Sequence, residues 1–313
     1  MEYVKLGSTG LDVSTVCLGC MSFGEPGRGY PSWSLSEEDA RPLIRQTLEA
    51  GVNFLDTANG YSDGSSEEIV GRVVREFANR DDLVIATKVY ARMRPGPNGG
   101  GLSRKAIMTE VDASLTRLGT DYIDLYQIHR FDDTVPLEET LEALHDVVKS
   151  GKVRYIGASS MYAWQFAKAL YLQRQHGWAR FVSMQDHYSL LNREEEREML
   201  PLCVDEGIGV IPWSPLARGR LTRDQDEATS RSAVDAFGRN LFRQQEAEKA
   251  IIDAVAAIAA ERGVPRAQVA LAWVSRHPAV TAPIVGVTKP HHLTDDEAAR
   301  LEAPYLPQPL AGF

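Results

Sequence analysis

The feature that most constrains the fold is a regular alternation of short apolar runs with amphipathic segments of helical period. Such repeated units favour parallel strands joined by helices, because each helix crosses back over the sheet with the same hand. Eight units of this kind are enough to close a barrel. The sequence therefore predicts an α/β fold, a (β/α)8 or TIM barrel, with strands beginning near Val16, Val52, Leu83, Tyr122, Val153, Phe181, Ile208 and Ala282.

The segments between these runs carry residues that are typical of helix starts. Ser36 and Ser103 each stand directly before a helix-period segment, and Ser65 with Glu68 three residues later fits a capping box. Residues 2–16 fit a small β-hairpin outside the eightfold pattern. Residues 287–303, after the last predicted strand, leave room for one helix of ordinary length and not for two. Since one barrel can hold 313 residues, we expect a single domain over residues 1–313.

The charge balance restricts the partners of the chain. It has 43 acidic and 34 basic residues, a formal net charge of -9 and no block of lysines and arginines. Nucleic acid and anionic membranes are therefore poor candidates. Neither a signal peptide nor an apolar run long enough to cross a bilayer is evident, so a cytoplasmic location is expected. The oligomeric state stays open.

Two of the three cysteines form a Cys-Leu-Gly-Cys stretch at Cys17 and Cys20, which raises the question of redox activity. A reactive pair needs a turn or a helix start that brings both thiols to one side. Here the stretch closes an extended apolar run, in which residues three apart point to opposite faces. We therefore interpret both cysteines as buried structural residues.

Polar and aromatic residues stand where the predicted strands end, which is where barrel enzymes build their sites. Each has an ordinary structural interpretation when taken alone, as a solvated lysine, a core histidine or a turn cap. Their occurrence at equivalent positions of several strands favours one shared site. The residues are Asp56, Lys88, His129, Ser159, Ser160, Gln185 and Trp213, with Tyr61 in the loop after Asp56.

These residue types supply an acid and a site for a carbonyl oxygen, without a nucleophile. Asp56 would keep Lys88 charged, and the ammonium would lower the pKa of Tyr61 and make it a proton donor near neutral pH. His129 could hold a carbonyl oxygen beside that hydroxyl. A proton donor facing a carbonyl implies a separate hydride source, and Trp213 offers a flat face for a nicotinamide. No Gly-x-Gly-x-x-Gly stretch follows a predicted strand, so such a cofactor would lie across the barrel mouth.

The chain resembles the aldo-keto reductase superfamily, in its bacterial branch related to the potassium-channel β-subunits. The resemblance rests on LDTANGYSDGSSEEIVG, ATK, DLYQIHR, YIGASS, MQDHYSLLNR, PWSPLARGRL and GVTK, which occur in the family's order and spacing over nearly the whole chain. It implies NADPH-dependent reduction of aldehydes or ketones to alcohols. It also implies a catalytic tetrad of Asp56, Tyr61, Lys88 and His129, with Tyr61 as the general acid.

The resemblance further implies how the cofactor would be held. Lys289, near a 2′-phosphate, implies NADPH rather than NADH. In the family, a full helix and a further strand-like turn follow GVTKPHHL, so the resemblance implies a (β/α)8 barrel with a shortened C-terminal βα unit. This shortening is expected to weaken the adenine end of the cofactor site, where Asp295 and Asp296 are the remaining polar candidates. The implied cofactor contacts are Ser159, Ser160, Gln185, Trp213, Ser214, Pro215, Leu216, Arg218, Gly219, Arg231, Gly286, Thr288, Lys289 and His292.

Two alternatives stay open at this point. The chain could be a nicotinamide-binding, redox-sensing subunit with slow turnover, or an unrelated barrel hydrolase. The hydrolase would need a metal cluster or a nucleophile–base pair, and the adjacent His291 and His292 are the only hint of either. Neighbouring residues diverge and no carboxylate is spaced as a further ligand, so no metal site is predicted. The sequence does not name the carbonyl substrate. Several arginines lie in the predicted mouth loops and suggest an anionic or polyhydroxylated carbonyl substrate. These arginines are Arg92, Arg94, Arg130, Arg218 and Arg220.

Overall fold

A computed structural model describes residues 1–224, 238, 241–242 and 245–285 of the chain. Eight parallel strands form one sheet in the order β10-β3-β4-β5-β6-β7-β8-β9, so each strand lies beside its neighbour in the chain. All eight predicted strands are present, and the predicted barrel is confirmed. They are β3 (Cys17–Gly19), β4 (Phe54–Asp56), β5 (Val84–Val89), β6 (Ile123–Ile128), β7 (Val153–Ser159), β8 (Phe181–Gln185), β9 (Gly209–Val210) and β10 (Ile284–Val285).

The first and last strands of this sheet meet, which closes the barrel. On one side β10 pairs with β3, with Val285 opposite Leu18. On the other side the segment that leads into β10 bonds to the end of β9. The Thr281 amide donates to the Val210 carbonyl at 2.8 Å, and the Ile284 amide donates to the Pro212 carbonyl at 2.9 Å. The sheet therefore has no free edge at this seam.

The predicted N-terminal hairpin is present and covers one end of the barrel. Its strands, β1 (Tyr3–Lys5) and β2 (Asp12–Ser14), pair antiparallel. Leu6 and Val13 are fully buried and belong to the same apolar cluster as Phe54 and Leu125 inside the barrel. The same cluster contains Cys17, Phe54 and Val84, which are the first residues of their strands. The hairpin therefore covers the N-terminal end of the barrel. The opposite, carboxyl end is the one left for chemistry.

Helices follow the strands and cover the outside of the sheet. Ser36 and Ser103 accept hydrogen bonds from the amides of Asp39 and Ala106, as predicted for helix caps. The predicted capping box is wrong, because the Ser65 hydroxyl instead accepts from the Glu25 amide and Gly64 precedes the helix. The described helices are α1 (Glu37–Glu49), α2 (Ser65–Phe77), α3 (Arg104–Leu118), α4 (Leu137–Lys149), α5 (Ala163–His176), α6 (Met199–Glu206), α7 (Gln245–Arg262) and α8 (Arg266–Ser275).

The two cysteines of the Cys-Leu-Gly-Cys stretch point to different parts of the core. Cys17 packs with the apolar cluster inside the barrel, whereas Cys20 packs with the larger cluster between sheet and helices. Both are buried free thiols, and burial raises the pKa of each. The structural interpretation of this pair is confirmed.

The shortened last unit lies outside the described residues, and a single domain over residues 1–313 stays a prediction. In the part of the chain that the structure describes, no helix combines the length and the apolar character needed to cross a membrane.

Candidate active site

Four polar side chains form a layer inside the carboxyl end of the barrel. Side chains alternate along a strand, so residues two apart face the same way. Asp56 follows the inward-facing Phe54, and Gln127 follows the inward-facing Leu125, each by two positions. Lys88 and Gln185 join them from β5 and β8. All four are at most 2% exposed, so their polar atoms must find partners within the layer.

The partners are present, and Asp56 is the centre of the network. Its Oδ1 accepts hydrogen bonds from the side-chain amides of Gln127 and Gln185, both at 2.9 Å. Its Oδ2 accepts from the Lys88 ammonium at 2.5 Å. Gln185 also donates to the Gln127 amide oxygen at 3.2 Å. Both oxygens of this buried carboxylate are thus occupied by donors, one of which is a cation.

The Lys88 ammonium connects this network to Tyr61. Besides Asp56, it donates to the Thr57 carbonyl at 2.8 Å and to the Tyr61 hydroxyl at 3.1 Å. Burial works against the charge on Lys88, but the Asp56 carboxylate and the Tyr61 oxygen together keep its pKa above the ordinary value. Lys88 is therefore a permanent cation with its three donors fixed, and one of them points to the phenol.

The predicted lowering of the Tyr61 pKa is wrong for this arrangement. Burial raises the pKa of Tyr61, and the opposing effect of Lys88 is too small to reverse it, because the nearby Asp56 carboxylate also raises it. A phenol with a raised pKa keeps its proton at neutral pH. That is the protonation state that a proton donor needs before reaction.

His129 lies beside Tyr61 at the end of β6. The two rings meet edge to face, with centroids 5.7 Å apart. Burial, followed by the charges of Lys88 and Arg130, lowers the pKa of His129 well below its ordinary value. The imidazole is thus neutral at physiological pH and carries one N–H donor beside the phenol.

A cavity of about 730 Å3 opens directly on these groups. Its wall includes Asp56, Tyr61 and His129 of the predicted tetrad, whereas Lys88 lies beneath them, fully buried. This volume is in the range of sites for drug-sized molecules and cofactors. The other predicted residues on its wall are Ser159, Gln185, Trp213, Ser214, Pro215, Leu216, Arg218 and Gly219.

Ser160 is the one predicted cofactor residue among the described ones that does not line the cavity. Its hydroxyl accepts a hydrogen bond from the Trp213 indole N–H at 3.1 Å. The Trp213 ring also stacks on His187, with centroids 4.2 Å apart and an interplanar angle of 12°. The indole is thus fixed at one face and at its nitrogen. Ser160 and His187 hold in place an aromatic ring that lines the cavity.

The segment after β9 forms another part of the cavity wall and has an unusual backbone. Ser214, Ala217, Arg218 and Gly219 all have φ between +47° and +90°, a region that non-glycine residues seldom adopt. Backbones of this kind form concave turns whose amide groups can face an anion. The Arg218 guanidinium also donates to the Tyr30 hydroxyl at 3.4 Å, so two distant loops of the wall touch.

Five predicted cofactor residues, namely Arg231, Gly286, Thr288, Lys289 and His292, lie outside the described residues. Conversely, the sequence analysis missed Gln127, which is fully buried at the centre of the network. The available signal was its position two residues after inward-facing Leu125, in register with Lys88 on the neighbouring strand. An amide inside an otherwise apolar run is costly unless it is paired, and that cost could have identified it.

Comparison with known proteins gives a consistent result. Residues 15–305 match the aldo/keto reductase family. Versiconal hemiacetal acetate reductase of Aspergillus parasiticus is 44% identical, over 99% of this chain and 98% of that protein. A putative aryl-alcohol dehydrogenase of Schizosaccharomyces pombe is 42% identical, over 99% and 97%. An aldo-keto reductase of Metarhizium robertsii is 41% identical, over 100% and 93%.

These relatives are fungal, and the expected link to a bacterial branch with the channel β-subunits stays a prediction. The fold, the residues at the strand ends and the sequence similarity nevertheless agree on the aldo/keto reductase family as a whole. The similarity covers the barrel from before β3 to beyond β10, which includes every described residue of the site. The chain belongs to the aldo/keto reductase family.

Proposed function

We propose that this protein reduces aldehydes or ketones to alcohols, with NADPH as the hydride source and Tyr61 as the general acid. One observation carries the proposal. The Lys88 ammonium donates both to Asp56 and to the Tyr61 hydroxyl, and the Tyr61 side chain lines a cavity of about 730 Å3. Proton donation and stabilisation of the resulting phenolate are thereby combined at one atom.

The residues of the network have separable roles in this proposal. Tyr61 donates its proton to the carbonyl oxygen as that oxygen gains negative charge. Lys88 stabilises the tyrosinate that remains, because it is already within hydrogen-bonding distance. Neutral His129 donates its N–H to the same substrate oxygen and orients the carbonyl. Asp56, held by two glutamine amides, keeps Lys88 charged and in position.

The described cavity wall fits a nicotinamide nucleotide. When bound, the cofactor supplies the hydride. Trp213 provides the flat face for its ring, and the amide oxygen of Gln185 and the Ser159 hydroxyl are the polar groups for its carboxamide. The turn over residues 214–219, with Arg218, suits a pyrophosphate. The preference for NADPH over NADH depends on Lys289 and remains part of the proposal.

The names of the relatives support the class of reaction. They include reductases and aryl-alcohol dehydrogenases, which act on the two sides of a carbonyl–alcohol pair. The alternative of a redox-sensing subunit with slow turnover uses the same nucleotide site, and it differs only in rate. A small-molecule carbonyl substrate is part of the proposal, and a cytoplasmic location stays a prediction of the sequence.

The decisive experiment replaces the Tyr61 hydroxyl. Tyr61→Phe should reduce kcat/KM for aromatic aldehydes by about 100-fold or more, the usual contribution of a positioned acid. The Kd for NADPH, followed by tryptophan fluorescence, should change by less than about threefold, since the hydroxyl acts on the substrate. Tyr171→Phe is the matched control, because Tyr171 is 62% exposed on α5. Near wild-type turnover by Tyr61→Phe would disprove the assignment, and slow wild-type turnover of every carbonyl would favour the sensing subunit.

A further inference from the structure

Arg130 is a cationic residue of the cavity wall that the proposed chemistry leaves without a role. It directly follows His129, and its side chain lines the cavity on the same side as Tyr61 and Ala91. Burial lowers its pKa, yet a guanidinium stays charged even so. A permanent positive charge therefore faces the space next to the two groups that would bind the substrate oxygen.

The described residues give this charge no carboxylate partner. Within the part of the chain that the structure covers, Arg130 forms no salt bridge, and its one hydrogen bond runs from Nη1 to the His129 carbonyl at 2.7 Å. That bond anchors the head group, and the Nη2 and Nε donors have no hydrogen-bond partner among the described residues. A partly buried cation without a counterion is costly, so a bound anion would be favoured there.

The other mouth-loop arginines behave differently. Arg220 pairs with Glu248 at 2.7 Å, and Arg218 lies in the turn that suits a pyrophosphate. Arg92 and Arg94 are exposed and bond to carbonyls of their own loop, away from the cavity wall. Arg130 alone among these five adjoins the two groups at the reacting end, Tyr61 and His129.

We propose that Arg130 selects carbonyl substrates that carry a carboxylate near the carbonyl group. The planar fork suits a carboxylate better than a neutral polar group, because two parallel charge-assisted hydrogen bonds can form. The substrate would then be held at two points, its carbonyl oxygen by Tyr61 and His129 and its anionic end by Arg130. This inference names the substrate class for the proposed reductase and rests on that function.

The experiment compares acids with matched neutral esters. Carboxybenzaldehydes and their methyl esters present the same aldehyde with and without the charge. In the wild type, the best acid isomer should exceed its ester in kcat/KM. In Arg130→Met that preference should fall by about 10- to 100-fold, as expected for loss of charge-assisted hydrogen bonds. The loss should appear mainly in KM, because the fork holds the substrate before and during the reaction.

Three further variants and measurements separate this role from others. Arg130→Lys should keep part of the preference, since it keeps the charge and loses the fork. Arg94→Met, an exposed loop arginine outside the cavity wall, should leave the preference unchanged. Benzoate, as a carboxylate probe, should bind the wild type more tightly than Arg130→Met in a fluorescence titration, whatever the rate of turnover.

Several outcomes would overturn the inference without touching the proposed function. A wild type that reduces every ester at least as well as its acid would do so. An equal loss for acid and ester in Arg130→Met, with a shifted pH profile, would show that Arg130 acts through Tyr61 instead. Failure of the proposed function is distinct, because the wild type would then reduce neither compound although benzoate still binds.

Discussion

The pair of Lys88 and Asp56 allows stability and catalysis to be separated. Lys88→Met would leave the Asp56 carboxylate, which is 2% exposed, without its cation. Breaking a buried pair by removing one partner typically costs about 3–5 kcal/mol of unfolding free energy. Here Oδ1 keeps two amide donors at 2.9 Å, so we expect the lower end, about 3 kcal/mol.

The double variant Lys88→Met with Asp56→Asn should recover most of that loss. The asparagine oxygen can still accept from Gln127 and Gln185, and no buried charge remains. Activity should stay as low as in Lys88→Met, because the cation beside the Tyr61 hydroxyl is missing in both. Stability would return while turnover would not.

Urea unfolding is the assay, with the free energy of unfolding compared between the wild type, the single variant and the double variant. Lys168→Met, at an exposed position of α5, is the control. A defect under about 1 kcal/mol, or simply additive effects in the double variant, would refute the reasoning.

Two further predictions concern Gln127 in the site and Glu195 in the turn between β8 and α6. Gln127→Leu removes a donor to Asp56 and an acceptor for Gln185, so it should lower the unfolding free energy by about 1–3 kcal/mol in urea titrations; an unchanged midpoint would show that the amide is dispensable. Glu195 has a pKa raised to about 7 by burial and then by Glu194, so the folded protein resists its ionisation and loses stability as the pH rises from about 4.5 to 7. Glu195→Gln should therefore raise Tm at pH 8 and leave it nearly unchanged at pH 4.5; an equal rise at both values would contradict the charge argument.

The barrel itself could be predicted from sequence because two features of the sequence indicate where its strands lie. Most runs are rich in apolar residues, as parallel strands between a core and a helix layer require, and several of them end at a polar residue, such as Asp56, Ser159 and Gln185. Three of the four residues predicted as the tetrad could be singled out for the same reason, since they stand at or next to strand ends, and their catalytic roles remain part of the proposal. Capping serines that act within their own helix, such as Ser103, were also local enough to recognise.

What could not be predicted depends on groups that meet only in three dimensions. Ser65 was assigned to its own helix, but the Glu25 amide reaches it from a loop 40 residues earlier. The buried amide of Gln127 needs partners, but that these are Asp56 on β4 and Gln185 on β8 is known only once the fold brings the strands together. The pKa of Tyr61 depends on burial against two opposite charges, and a sequence shows the charges without the degree of burial.

The closure of the barrel between its first and last strands also affects how the protein must be made. Leu18 pairs with Val285, so one edge of β3 has no partner until nearly the whole described chain has been synthesised. At typical rates of about 5–20 residues per second, this takes roughly 15–60 s. During that interval the nascent chain exposes a strand edge and the apolar interior that β10 will cover. Association with chaperones during translation, or aggregation when they are scarce, should therefore depend on this one late pairing.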